Sequence, residues 1–335
     1  YGLSKLLPPN DVVPGLQVKI EKMKAKVPII ADLRNPNLTD RHWVKVNAAL
    51  ECNITPEYEK NADTGKMELK KLTQPKEPTE EDPNPFSVFT LASLEELEAF
   101  DKVEAIQEIS GGASSESALE VMMTKLEESW NGNGKPPGTE GAKLPVEFDC
   151  LPYKGSKDVY ILGGKLEEIQ VLLDDSQVNI STISGSRHCE PIRERVDNIT
   201  FALNLFSKTL DQWLDCQRSW QYLESIFSAP DIVRQLPEEA KMFQQVDKSF
   251  KEAMRKTNSF PNALRAGCTP GFLDMFKENN ALLDKINKCL EDYLEGKRAV
   301  FSRFYFLSND ELLEILSQTK NFLAVAKSFP AWRIH

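Results

Sequence analysis

Between Ile192 and Trp220, nine positions recur at alternating intervals of four and three: Ile192, Val196, Ile199, Leu203, Phe206, Leu210, Trp213, Gln217 and Trp220. Gln217 alone among them is polar. A period near 3.5 places all of them on one face of an α-helix, whereas the period of a strand would scatter them over two faces. A helix from about Glu190 to Phe227 would be ~55 Å long at 1.5 Å per residue. One buried stripe of that length needs partners along all of it, so the chain is expected to be mainly all-α, a rod or a long bundle of antiparallel helices.

The sequence after this stripe supplies the partners. Pro237 stands at a natural first-turn position, and the helix it opens carries Phe243, Val246, Phe250 and Met254 and stops before Pro261. Another helix is expected from about Pro270 to Arg298, with Phe272, Phe276, Leu283, Ile286, Leu290 and Tyr293 turned inward. The aromatic run from Phe301 to Leu307 reads as extended chain or a tight bend. Ser308 with Glu311 is a capping box for a last helix carrying Leu312, Leu313, Ile315 and Leu316. Short connections make the last three long helices neighbours.

The first half is less regular. Residues 1–26 read as a mixed lead-in broken by Pro8-Pro9, and Thr39 or Asp40 caps a helix with Trp43, Val46 and Leu50. Glu51 to Pro85 is charged and proline-punctuated, a loop or insertion. Ser93 with Glu96 forms a capping box that opens a helix with Leu94, Leu97 and Ile106. A second helix with Leu119, Met122, Met123, Leu126 and Trp130 is expected after a break at Gly111-Gly112. Beyond a Gly/Pro connector, Val146, Phe148 and Cys150 alternate, as do Val159 and Ile161, around Lys154-Gly155-Ser156-Lys157. That is one β-hairpin near 146–162 and the single one expected in the chain. The resulting division is a lead-in with first helices (1–50), an insertion (51–92), a helical pair and connector (93–145), the hairpin (146–165), the long helices (166–320) and an atypical tail (321–335).

Chemistry is sparse. A net charge of −10 makes direct binding to nucleic acid or to an acidic filament unfavourable. No apolar run approaches the ~18 residues of a membrane span, and no basic, Ala-capped leader suggests secretion. The chain opens at Tyr1 without an initiator Met, which reads as a fragment of something longer. The six cysteines are scattered without a CxxC pair, which suits reduced thiols in a cytosolic compartment, and His42, His188 and His335 complete no zinc spacing. Gly132-Asn133-Gly134-Lys135 is followed by Pro136-Pro137 and lacks the strand a phosphate loop needs; Gly163-Gly164-Lys165 reads as the hairpin exit. Adjacent His188 and Cys189 do not face one another. Asp174-Asp175 and Glu238-Glu239 read as solvated charges at helix termini. No catalytic, cofactor-binding or metal-binding residue is assigned.

Several runs together resemble dynein heavy chains, in the linker region that precedes the motor ring. They are Leu33-Arg34-Asn35-Pro36 with Arg41-His42-Trp43, Trp213-Leu214 with the tract Gln217 to Phe227, Gln235 to Glu239, and Phe304 to Leu316. The match spans roughly Val27 to Lys320, and its wording around Ser225 to Glu239 resembles axonemal heavy chains, of inner-arm type by preference. The resemblance implies a curved helical rod lying across a ring of ATPase modules, bending and straightening to deliver a power stroke in ciliary motility. It implies no enzyme in this segment, with ATP and Mg held by the parent ring and contact to that ring within the polypeptide. Other dynein subunits and the microtubule would be reached through the parent chain, with neither nucleic acid nor membrane as a partner, in the cytoplasm and axoneme of cilia or flagella. Trp43, Trp213, Trp220, Tyr222, Phe304, Tyr305 and Phe306 are the residues expected to pack or transmit force. Ser302 stands where the family usually has proline, which loosens that bend, and Phe322 to His335 reads as unrelated sequence. The alternative is a free helical scaffold that binds partner helices through an apolar groove.

Overall fold

The computed structural model describes residues 12–60, 67–75 and 86–317. The chain divides into two compact units, residues 1–122 with 185–192 and residues 123–184 with 193–335. Helices dominate both. The Pro8-Pro9 break and the tail at 321–335 lie outside the described residues.

In the first unit the lead-in is a helix, α1 (Val12–Leu33), which continues through Pro28. Proline there cannot donate to the carbonyl of Lys24, and burial of Ile29 and Leu33 in the core holds the last turn in place. α2 (Asp40–Leu50) begins after Thr39, whose N–H donates to Nδ1 of His42 at 3.1 Å. That bond leaves the ring proton on Nε2, 3.2 Å from the Glu116 carboxylate. Trp43 is 2 % exposed, its indole N–H donating to the Tyr58 hydroxyl at 3.1 Å, which in turn donates to Leu38 O.

The described part of the charged stretch after α2, residues 51–60 and 67–75, is not simply a loop. It contributes to a three-stranded antiparallel sheet, β1 (Thr55–Lys60), β2 (Met67–Pro75) and β3 (Phe86–Val88), in the order β1-β2-β3. The expectation of a single hairpin is therefore corrected. Its alternation is hard to read because a bulge at Glu57/Tyr58 shifts the register, and because the charges pair across strands, Glu57 with Lys71 at 3.1 Å and Glu59 with Lys70 at 2.9 Å. Leu69 and Leu72 still pack against the core.

The capping box is corrected too. Thr90 is the cap of α3 (Leu91–Glu96), and its N–H bonds the Ser93 hydroxyl, so Ser93 is the third helical residue. Glu98 then takes a left-handed φ of 50° and separates α3 from α4 (Val103–Asn131). No break occurs at Gly111-Gly112. Two glycines cost a helix ~1 kcal/mol each relative to alanine, but burial of Ile106 and Ala113 and three hydrogen bonds from Asn35 Nδ2 to Ser110 and Ser114 hold the turn helical.

The second unit is built on the long stripe. The connector after α4 is pinned by Asn133, whose Oδ1 accepts from Lys143 N at 3.0 Å. β4 (Cys150–Pro152) pairs with β5 (Tyr160–Leu162), the expected hairpin in a shorter form. Its leading residues bond elsewhere: Phe148 N donates to Pro261 O at 2.7 Å and Ala263 N to Val146 O at 2.8 Å. After β5 come α5 (Leu166–Ser184), α6 (Arg193–Phe227), α7 (Pro230–Gln235), α8 (Pro237–Ser259), α9 (Ala263–Gly267), α10 (Phe272–Val300) and α11 (Asn309–Ser317). All nine stripe positions are buried. α10 packs on both α6 and α8, and α5 lies on α6. Leu294, at 1 % exposure, faces inward in place of the expected Tyr293. At Gly267 a Cβ would stand 2.3 Å from Phe206 Cδ2, so only glycine lets α9 approach α6 so closely.

Candidate functional site

The side chains that could carry a mechanical role in the second unit form an aromatic spine. Trp213 is fully buried. It stacks on Phe276 at a centroid distance of 4.9 Å and meets Phe148 at 5.4 Å and Phe272 at 6.0 Å edge-on. One turn-pair along α6, Trp220 stacks on Phe250 of α8 at 4.7 Å and touches Tyr153 of the hairpin at 5.0 Å. Phe227 stacks on Phe243 at 5.2 Å, and Phe206 meets Trp130 at 5.3 Å. The heptad-like spacing of α6 thus becomes a run of ring contacts that ties α4, α8, α10 and the hairpin to one helix.

By sequence Gln217 is the flaw in the stripe. In the structure it fastens the hairpin. The N–H of Leu162 donates to Gln217 Oε1 at 2.8 Å, and Gln217 Nε2 donates to Leu162 O at 3.1 Å. A lone amide in an apolar stripe is the signal that could have marked it, since a buried amide needs partners.

At its far end α10 runs into an exposed aromatic bend, a 3₁₀ turn at Ser302–Phe306. Phe301 and Phe304 pack edge-on at 4.8 Å. The Tyr305 hydroxyl donates to Glu295 at 2.8 Å, which holds the phenol above its ordinary pKa. Phe306 is 90 % exposed and Val300 87 %. Arg298, in the last turn of α10, reaches across the bend to Leu307 O at 3.0 Å and Asn309 Oδ1 at 2.7 Å. The expected box follows: Glu311 accepts from the Ser308 N–H at 2.8 Å, and that bond lowers its pKa below the ordinary carboxylate value. Ser302 sits at the first position of the turn after an extended Phe301, where a proline ring fits. Ser302→Pro should therefore raise stability by about 0.4–1 kcal/mol, read as a higher urea midpoint; a fall would show that the bend is not compatible with proline.

Tyr222 lies near α11 in a groove of about 430 Å³ whose walls include Ile232, Asp310 and Leu313. Burial raises its hydroxyl pKa, and the Asp310 carboxylate adds to the rise. Trp43 belongs to the first unit and takes no part in the spine. Phe148, Tyr153 and Arg298 carry much of the contact; the alternation around Phe148 marks it only as a strand residue, and nothing in the sequence context of Tyr153 or Arg298 marks them for it.

Asp174 and Asp175 are exposed in the middle of α5, not at a terminus, because Leu173 and Ser176 take its buried face. Glu238 lies in the first turn of α8 beside Lys241 at 2.9 Å. All six cysteines are free thiols. Burial pushes Cys216 up to about 12 and Cys150 up to about 11. A thiol whose folded pKa is raised stabilises the fold fully below its unfolded value of 9.0 and loses that contribution as pH climbs toward 12. Cys216, fully buried, should resist a disulfide reagent at pH 8 until the chain is unfolded; mass mapping of native modification checks this, and early labelling of Cys216 would show that α6 opens locally.

The family model described as dynein heavy chain, N-terminal region 2, matches residues 1–331, reaching into the tail that reads as unrelated. The chain is similar to human dynein axonemal heavy chain 6, 51 % identical over 323 residues that make up 96 % of this chain and 7 % of that protein. It is 36 % identical over 315 residues to human dynein axonemal heavy chain 2, covering 94 % and 6 %. With dynein axonemal heavy chain 1 of Rattus norvegicus the figures are 34 % over 316 residues, covering 94 % and 6 %. The chain thus spans only 6–7 % of the length of these relatives. It belongs to the dynein heavy chain family, in which it corresponds to N-terminal region 2.

Proposed function

We propose that this segment is the mechanical linker of an axonemal dynein heavy chain, of inner-arm type. It bends and straightens over the parent chain's ATPase ring to deliver the power stroke of ciliary motility. ATP and Mg are held by that ring, and the segment itself does no chemistry. Microtubules and other dynein subunits are reached through the parent chain, in the cytoplasm and axoneme of cilia or flagella.

One observation carries the reading. Long helices locked together by stacked rings end on a bend whose aromatic side chains are offered outward, Tyr305 at 56 % and Phe306 at 90 % exposure. Exposed aromatic anchors contribute little to folding, and they dominate contacts between surfaces. An acidic chain also makes a poor direct microtubule binder, which favours contact through the parent motor.

The test uses the full heavy chain with Tyr305→Ala and Phe306→Ala together. Microtubule gliding should slow severalfold while ATP hydrolysis continues and the thermal midpoint of the segment holds. Unchanged gliding would remove the bend from force transmission, and loss of ATP hydrolysis in step with gliding would point to a different role for it.

A further inference from the structure

Where α8 ends, the second unit turns a phenylalanine out into water beside cations that its own carboxylates do not neutralise. Phe260 closes the last turn of α8, its N–H donating to Lys256 O at 3.1 Å, and its side chain is 79 % exposed. Pro261 follows, which disfavours helical backbone at Phe260 and stops α8 there. The turn is held from both sides, by Phe148 N to Pro261 O and by Ala263 N to Val146 O. Phe260 helps to line a groove of about 610 Å³ between α8 and α9, with Lys256, Arg265, Thr269 and Phe272 in its walls. Among the described residues, Glu147 is the one carboxylate that lines it.

The charges beside the groove say what it accepts. Along α8, Lys248, Glu252, Arg255 and Ser259 follow at intervals of four, three and four and share one face. Lys256 bonds Glu252 at 2.9 Å, and that bond, with the fields of Lys248 and Arg255, holds the Glu252 pKa below its ordinary value. Asp247 is taken by Trp220 and Lys251. Lys248, Arg255 and Arg265 are exposed and form no ion pair among the described residues. They are a local positive excess in a chain whose net charge is −10. The dipole of α8 accounts for Lys256 in its last turn. It accounts neither for Lys248, about three turns from the end, nor for an outward phenylalanine.

A second copy docked across a two-fold axis would set these cations against themselves, and the net charge repels nucleic acid. An acidic peptide with one apolar side chain satisfies both the cations and the ring. So open a groove holds such a peptide weakly. A tether raises the effective concentration to about millimolar, and the relatives are far longer than this chain, which covers 7 % of the first of them.

We infer that the groove between α8 and α9 is the docking site for an acidic segment of the same heavy-chain polypeptide, outside these 335 residues. That segment sets an apolar side chain against Phe260 and carboxylates against Lys248, Arg255 and Arg265. The inference rests on the reading that this chain works inside a heavy chain.

The first experiment uses the 335-residue chain and three fluorescein-labelled heptapeptides: Phe between two triplets of Glu, Phe between two triplets of Lys, and Ala between two triplets of Glu. At about 0.1 M salt, where fields are screened beyond about 10 Å, the Glu–Phe peptide should bind about tenfold more tightly than the Lys–Phe peptide. Arg255→Glu with Arg265→Glu should reverse that preference with the circular dichroism unchanged. Lys288→Glu with Lys297→Glu makes the same change of charge more than about 20 Å from Phe272 along α10, and should leave the preference intact. Phe260→Ala should weaken the Glu–Phe peptide about fivefold and leave the Glu–Ala peptide unchanged. Equal binding of the Glu–Phe and Lys–Phe peptides, a preference that follows net charge wherever the cations are changed, or indifference to Phe260→Ala would overturn the proposal. The second experiment assigns the source by zero-length carboxylate–amine cross-linking of the intact heavy chain in its complex. Lys248 or Lys256 should couple to carboxylates of the same polypeptide outside this chain; couplings only to another subunit, or none, would overturn that assignment. If gliding ignores the Tyr305 and Phe306 changes while peptide selectivity and cross-links persist, the lever reading fails and the docking site stands. Slowed gliding without peptide selectivity keeps the lever and removes the docking site.

Discussion

Gln217→Met is expected to lower the stability of the second unit by about 2–4 kcal/mol, although it makes the α6 stripe wholly apolar. Methionine has nearly the same length and volume, so packing is preserved and the change isolates hydrogen bonding. Gln217 and Leu162 are 7 % and 3 % exposed, and the glutamine amide satisfies both the N–H and the C=O of Leu162. Leaving two buried backbone groups unpaired costs about 1–3 kcal/mol each, partly offset by the apolar gain of the new side chain. The urea midpoint of the purified chain measures the effect. A change under about 0.5 kcal/mol would mean that the hairpin finds other partners and that Gln217 does not fasten it.

The second large effect separates the two tryptophans of the spine. Trp213→Ala and Trp220→Ala should each cost about 3–5 kcal/mol, as large cavities do. Phenylalanine at each position discriminates them. The Trp220 N–H donates to Asp247 Oδ1 at 3.0 Å, whereas among the described residues the fully buried Trp213 N–H finds no acceptor. Trp213→Phe removes an unsatisfied donor along with some ring area; Trp220→Phe removes a satisfied one, and with it a bond to a carboxylate. Trp220→Phe should therefore be the more destabilising by about 1–3 kcal/mol. Equal losses at the two sites would show that ring volume alone sets the cost and that the indole donors contribute nothing.

Much of the second unit is legible in sequence because long, strictly periodic burial has one solution. The stripe from Ile192 to Trp220, proline at the head of α8, the inward residues Phe272 to Leu290 and the Ser308 box all stand where local rules place them. The first unit is harder. Its sheet alternates weakly and pairs its charges across strands, its glycines lie inside a helix, and a proline lies inside α1. In each case a tertiary contact outweighs a local preference of ~1 kcal/mol or more per residue.

The aromatic bend shows the same division. The tract Phe304 to Leu307 is conspicuous in sequence, yet composition alone would bury it. Only the three-dimensional arrangement sets Phe304 half-buried against Phe301 and leaves Phe306 open to solvent. Residue pattern alone dictates the helical class, the length and buried face of α6, and the resemblance that the comparisons bear out. Long-range packing settles which residue fastens the hairpin, where the sheet lies and which apolar faces remain uncovered. The reason is that periodicity encodes which face of an element is buried, while partners depend on contacts between residues far apart in the chain, Leu162 with Gln217 and Trp220 with Asp247 among them.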